Sequence, residues 1–162
     1  MTKLTIVAEP GRHDSLMTRE FTATPEQLFR AYTEPDLLKQ WLGPDRLETV
    51  VEEFDLCHGG RWHFTQKETD GTAYGFRGVF HGTPSIKDGI TQTFEFEGVP
   101  GHVCLETVRF EEVAPGRTLV RNASVFQAVE DRDAMIESGM ESGVTEGFAR
   151  LDKLLAANAI LA

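Results

Sequence analysis

Ile136-Glu137-Ser138-Gly139-Met140-Glu141-Ser142-Gly143-Val144-Thr145-Glu146-Gly147-Phe148-Ala149-Arg150-Leu151-Asp152-Lys153-Leu154-Leu155 carries a helical period. Ile136, Met140, Gly143, Gly147, Leu151 and Leu154 fall on one line, flanked by Val144, Phe148 and Leu155. The pattern predicts one helix from Asp131 to about Ala157, with Glu130, Asp131 and Asp133 at its start, where the helix dipole favours acidic groups. A glycine inside a helix costs roughly 1 kcal/mol relative to alanine, so Gly139, Gly143 and Gly147 cost about 3 kcal/mol unless the helix needs the room. That room belongs either to a close sheet surface or to a cavity.

Upstream of the helix the text is strands and turns. Leu4 to Val7 and Leu16 to Phe21 read as a pair joined through Pro10-Gly11. Thr24-Pro25-Glu26-Gln27 then sets a capping hydroxyl, a first-turn proline and a glutamine three residues on, opening a short helix with Leu28, Phe29, Ala31 and Tyr32 as its buried stripe. Pro35 ends it, and a second short helix runs from Asp36 to about Trp41, stopped by Gly43-Pro44. Six further strands follow: Leu47 to Asp55, Arg61 to Lys67, Tyr74 to Gly82, Ile90 to Glu97, Val103 to Glu112 and Thr118 to Val129. The connections are too short for crossover helices, so the sheet is antiparallel. Alternation puts Trp62 and Phe64 on one face and Tyr74, Phe76, Gly78 and Phe80 on another, and Val108 and Phe110 likewise share one.

The chain has 162 residues, 40% hydrophobic and 26% charged, with a net charge of -10. That length suits a single domain, residues 1–162, with a substantial core. The acidic balance argues against nucleic acid and anionic membranes, both of which need a basic face. No apolar run is long enough to span a bilayer, and the opening MTKLTIVAEPGRHD lacks the pattern of a signal peptide. With Cys57 and Cys104 as its two thiols, the expectation is a cytoplasmic protein with both reduced.

Arg19-Glu20-Phe21-Thr22-Ala23-Thr24-Pro25-Glu26-Gln27-Leu28-Phe29-Arg30-Ala31-Tyr32-Thr33-Glu34-Pro35, followed by Leu38 and Trp41-Leu42-Gly43-Pro44, resembles the opening of the SRPBCC superfamily (START-like, helix-grip proteins). Phe54-Asp55-Leu56, Gly59-Gly60-Arg61-Trp62, Asp70-Gly71, Gly78-Val79-Phe80, Arg132-Asp133-Ala134-Met135 and Ser138 to Gly143 extend the likeness to about Leu155. It is nearest the bacterial branch related to the heat-shock-protein-90 ATPase activator homologue. The family usually carries Arg-Pro or similar before the Gly-Gly pair; here Cys57-His58 stand there, so no role of that arginine is carried over. The resemblance implies an α+β helix-grip fold: a curved antiparallel sheet wrapped around a long C-terminal helix, with two short helices after the first strands. It also implies, in many members, a cavity between sheet and helix. Carriers, receptors, cyclases and chaperone cofactors share this fold, which therefore does not choose a function.

The candidate ligand-binding set is Trp62, Phe64, Phe76, Phe80, Phe94, Glu106, Met140, Gly143, Gly147 and Phe148: apolar walls, two glycines for room and one inward carboxylate. The expected partner is a small apolar or aromatic molecule, and a chaperone enters by analogy alone. For acid–base chemistry the candidates are His81, Glu95, Glu106 and Arg109; alternation turns Glu106 inward, Glu95 and Arg109 outward, and sets His81 opposite to Phe80. A cyclase- or isomerase-like use of the same cavity stays open. No nucleophile elbow, HExxH or phosphate loop is present. Cys57, His58 and His63 lack zinc-ligand spacing and read as turn and strand residues, so no metal or cofactor is expected. Asp55 and Arg61 read as a pair across the Gly59-Gly60 turn, and Trp41 as the anchor of the second helix.

Overall fold

The computed structural model describes residues 2–161. β1 (Thr5–Val7) and β2 (Asp14–Phe21) come first, then α1 (Pro25–Thr33) and α2 (Pro35–Trp41). β3 (Glu48–Phe54), β4 (Arg61–Lys67), β5 (Ala73–Ser85), β6 (Gly89–Phe96), β7 (Val103–Ala114) and β8 (Arg117–Phe126) follow as a meander. All eight strands form one antiparallel sheet, ordered β1-β2-β8-β7-β6-β5-β4-β3. α3 (Val129–Glu137) and α4 (Met140–Ala156) close the chain. This is the helix-grip arrangement.

The start of α1 forms as its sequence dictates. Gln27 N–H donates to Thr24 Oγ1 at 3.2 Å, Thr24 N–H donates to Gln27 Oε1 at 2.9 Å, and Pro25 occupies the first turn, where its missing N–H costs nothing. Thr24→Ala is expected to cost about 1 kcal/mol, lowering Tm by roughly 2–4 °C in a chain of this size; thermal unfolding followed by circular dichroism reads it. Trp41 anchors α2, its buried indole N–H donating to Ala31 O at 3.0 Å.

The predicted single C-terminal helix is two helices. Gly139 sits at φ +84°, a left-handed conformation that favours glycine, and it separates α3 from α4. Its signal was the glycine itself, read as an interior residue when it is the hinge. The remaining two glycines face the end of α2. A Cβ on Gly147 would lie 2.7 Å from Trp41 O, and one on Gly143 would lie 3.5 Å from Pro44 Cδ. The room they make is therefore taken by the Trp41–Pro44 segment, not by a cavity or by the sheet.

α4 is gripped at its other end through Arg19 of β2. That guanidinium, 6% exposed, donates to Asp152 at 2.7 Å and lies 4.3 Å from the Phe21 ring centre. Phe148 packs edge-on against Phe21, at 5.1 Å between ring centres, and 6.0 Å from Trp41. Leu28, Ala31, Leu151 and Ile160 are fully buried in the same core.

Candidate functional site

Strand register brings the inward residues of six strands into rows across the concave face. Trp62 stands opposite Gly78, Phe64 opposite Phe76, Phe76 opposite Phe96, and Phe94 opposite Cys104. The next row holds Phe80, Gln92, Glu106 and Ser124, and the one after it Ile90, Val108, Asn122 and Met17. The groups that alternation separated, Trp62 with Phe64 and Tyr74 through Phe80, thus share a single face.

That face has an aromatic half and a polar half. In the aromatic half Trp62 stacks on Phe64 at 5.2 Å between ring centres, Phe64 on Phe76 at 5.2 Å, and Phe76 lies 5.6 Å from Phe94 and 5.2 Å from Phe96. Trp62 and Phe64 are buried, whereas Phe76, Phe94 and Phe96 keep accessible surface. Phe80 is buried against Phe54. The buried Trp62 Nε1–H has no hydrogen-bond partner.

In the polar half Glu106 accepts from Gln92 Nε2 at 2.7 Å. Burial pushes its carboxyl pKa above the ordinary value, while hydrogen bonds from Gln92 and Asn122 pull partly the other way. Desolvation is thus the stronger effect. Glu106, Gln92 and Asn122 are all half-buried, and Asn122 Oδ1 is left without a partner. Tyr32, carried over β7 by α1 and 5.3 Å from Phe110, is raised by burial and then by the nearby Glu106 charge, with Arg19 acting oppositely. The Cys104 thiol, next to Glu106 on β7, is pushed up to about 12 by burial, which leaves it protonated and inert.

Of the residues singled out in the sequence, Trp62, Phe64, Phe76 and Phe94 come together as the aromatic half, with Phe80 one row away beside Glu106's neighbour Gln92. Glu106 points inward beside them. Phe148 belongs to a separate cluster with Phe21 and Trp41, Met140 is half-buried in the first turn of α4, and Gly143 and Gly147 face Pro44 and Trp41. Gln92, Asn122 and Tyr32 were not singled out. The signal for the first two was present: Gln92 alternates in phase with Phe94, and Asn122 with Val120.

The remaining candidates are engaged elsewhere. His81 is exposed on the convex face, its ring 6.4 Å from that of His58, and is no partner for Glu106. Glu95 accepts from Gly101 N–H at 2.6 Å and pairs with Arg77 at 3.1 Å, which holds its carboxyl low. Arg109 is exposed. His58 Nδ1 accepts from Gly82 N–H at 2.8 Å, His63 bonds Glu97 at 2.6 Å, and the exposed Cys57 thiol lies 3.4 Å from Asp55; among the described residues no group of three metal-ligating side chains assembles. Arg61 pairs with Glu53, its diagonal neighbour opposite His63, at 3.3 Å rather than with Asp55, whose N–H bonds Arg61 O and whose carboxylate accepts from Cys57.

Two shallow clefts, of about 350 and 300 Å3, open on the convex face. The first runs past Arg61, His63, Arg77, Glu95 and Glu97, where Arg61 is paired with Glu53, Arg77 with Glu95 and His63 is hydrogen-bonded to Glu97; the second is apolar around Leu105 and Val125. The first also borders Trp62, whose unpartnered Nε1–H is a lone donor there, whereas the concave face gathers Glu106, Gln92 and the unpartnered Asn122 Oδ1 beside aromatic walls and is the stronger candidate.

The sequence model of a family described as "Activator of Hsp90 ATPase homolog 1-like protein" matches residues 22–156. The chain belongs to that family. Its fold is similar to that of a Rhodobacter sphaeroides protein, 26% identical, over 96% of this chain and 99% of that one, with a TM-score of 0.86. An Arthrobacter aurescens protein is 24% identical over 96% and 93%, TM-score 0.83. The protein named AHSA1 from Silicibacter pomeroyi is 21% identical over 89% and 98%, TM-score 0.70. No curated protein matches the sequence. Among the described residues no helix is long and apolar enough to cross a membrane.

Proposed function

We propose that this chain is a small-molecule-binding domain that holds an apolar or aromatic ligand between the concave face of its sheet and the helices, with Glu106 as the polar contact. The observation that carries this reading is Glu106 itself: a half-buried carboxylate on the concave face beside half-buried Phe94 and Gln92, hydrogen-bonded to Gln92 at 2.7 Å and with no cation on it among the described residues. Surface of that kind, on a face with aromatic walls and a few convergent polar groups, is what ligand sites are made of. An enzymatic use of the same space would rest on Glu106 without His81, which lies on the opposite face. The two free thiols fit a reducing cytoplasm.

Native mass spectrometry of protein purified gently from its own host tests the reading. A discrete small mass, present in the native spectrum and released on denaturation, is the expected result. A clean apo mass, together with failure to bind any apolar probe, would overturn it. The rival reading is a chaperone-cofactor-like module, favoured by the exposed cross-strand pair Leu105 and Val125 and by the family's description. It predicts a stable complex with the host chaperone that Leu105→Asp abolishes in a pull-down.

The carboxyl of Glu106 makes stability depend on pH. Its folded pKa is raised, so its contribution is complete below the ordinary value of 4.5 and is lost as pH rises through the folded value. Each pH unit between those two values removes about 1.4 kcal/mol. Glu106→Gln is therefore expected to flatten the fall of Tm from acid towards neutral pH, so that the variant gains on the parent as pH rises. Parallel melting curves for the two proteins would refute the assignment.

A further inference from the structure

We infer that the ligand of the concave face carries a basic nitrogen: an amine on an aromatic or apolar body, its ammonium seated on Glu106 and Asn122. This rests on the binding-domain reading above and narrows it to a chemical class. Among the described residues, most other half-buried carboxylates hold a cation or an imidazole, as Glu20 holds Arg117, Glu95 Arg77 and Asp131 His102; Glu146, which holds neither, instead accepts from Asp45 N–H and Ser142 away from the concave face. Glu106 has none; its partners are the neutral amides of Gln92 and Asn122.

The charged and titratable neighbours leave that place open. Arg19, which acts electrostatically on Tyr32, has its charge matched by Asp152. Tyr32 above and Cys104 alongside are both held protonated by burial. Arg132, the other buried arginine, is bound to Asp133 and to Asp14 O. No unmatched cation therefore awaits a carboxylate ligand, and an anionic head would meet the Glu106 charge.

Glu106 and Asn122 Oδ1 offer two acceptors in adjacent rows of one face, and an ammonium has three donors to give. Asn122 lies on the same face, one row along the neighbouring strand, close enough to Glu106 to lower its pKa, and its Oδ1 is buried and unpaired. An ammonium would satisfy both oxygens at once and keep Glu106 ionised. Phe94, one row along on the strand beside Glu106, supplies an aromatic surface of the kind that attracts a desolvated cation.

A matched set of probes with one aromatic body tests this: 2-naphthylmethylamine, 2-naphthylmethanol and 2-naphthoate, titrated calorimetrically into the intact protein at neutral pH. The amine is expected to bind at least about tenfold more tightly than the alcohol, as a charge-assisted hydrogen bond implies, and the carboxylate most weakly. Glu106→Gln should weaken the amine at least about tenfold more than it weakens the alcohol. Equal affinities for amine and alcohol, or tighter binding of naphthoate, would overturn the amine inference and leave the binding domain standing. If none of the three binds, the binding-domain reading fails and takes the inference with it. Since Glu106→Gln is expected to fold at least as well as the parent at this pH, loss of structure does not confuse the outcome.

Discussion

Asp152→Ala is expected to destabilise the protein by about 2–3 kcal/mol, lowering Tm by roughly 4–12 °C. Arg19 is 6% exposed and cannot be rehydrated without opening the joint between β2 and α4, so removing its partner leaves a buried charge with little compensation. Asp152 is 34% exposed, and water entering its place supplies part of what is lost, which keeps the figure below that of a sealed pair. The π faces of Phe21 and Phe148, 4.3 and 5.9 Å from the guanidinium carbon, hold Arg19 in place but do not replace an anion. The double variant Arg19→Met with Asp152→Ala should recover much of the loss, because it removes the stranded charge as well. Denaturant unfolding of the four proteins in the cycle measures the coupling. A single variant that loses less than about 0.5 kcal/mol, the range of an exposed pair, would contradict this account of the grip.

Gly147→Leu is expected to cost about 3 kcal/mol, or roughly 6–12 °C in Tm, because even its Cβ collides with backbone. Trp41 O would lie 2.7 Å from that carbon and Gly43 N 3.4 Å from it, and neither can rotate aside as a side chain does. Gly143→Ala is the control on the same helix: its Cβ meets Pro44 at ordinary contact distance, so the gain in helix propensity, up to about 1 kcal/mol, should appear as added stability. If both substitutions stabilise, the helix–helix approach at Gly147 is looser than described.

Local signals made the fold legible. The capping box at Thr24 and Gln27 and the stops at Pro35 and Pro44 fixed both short helices, and the Gly-containing turns fixed the meander. What escaped was whatever depends on distant partners. Gly139 was misread because a left-handed hinge and an interior glycine look alike in a periodic segment. Gly143 and Gly147 were correctly recognised as making room, but their occupant, the Trp41–Pro44 segment, lies a hundred residues away in the chain.

The site was legible in its walls and not in its chemistry. Alternation found Trp62, Phe64, Phe76, Phe94 and Glu106, since each shows its facing within its own strand. Register between strands was needed to bring Gln92 and Asn122 to the same carboxylate and to place Tyr32 above it. The same register removes His81 from the site by turning it to the convex side. Phe148 stands apart from the concave-face aromatics for a related reason: its helical line is shared by residues facing the sheet and by residues facing α2, and only packing separates them.

Chemical-shift mapping by NMR, with neutral 2-naphthylmethanol added to the isotope-labelled protein, tests the location of the ligand space most directly. The expected perturbations fall on Phe94, Glu106 and the Asn122 side-chain amide, all on the concave face. Arg77, Leu105 and Val125 should not move, since they border the convex clefts. Saturable shifts confined to those convex residues, with the concave face unchanged, would contradict it.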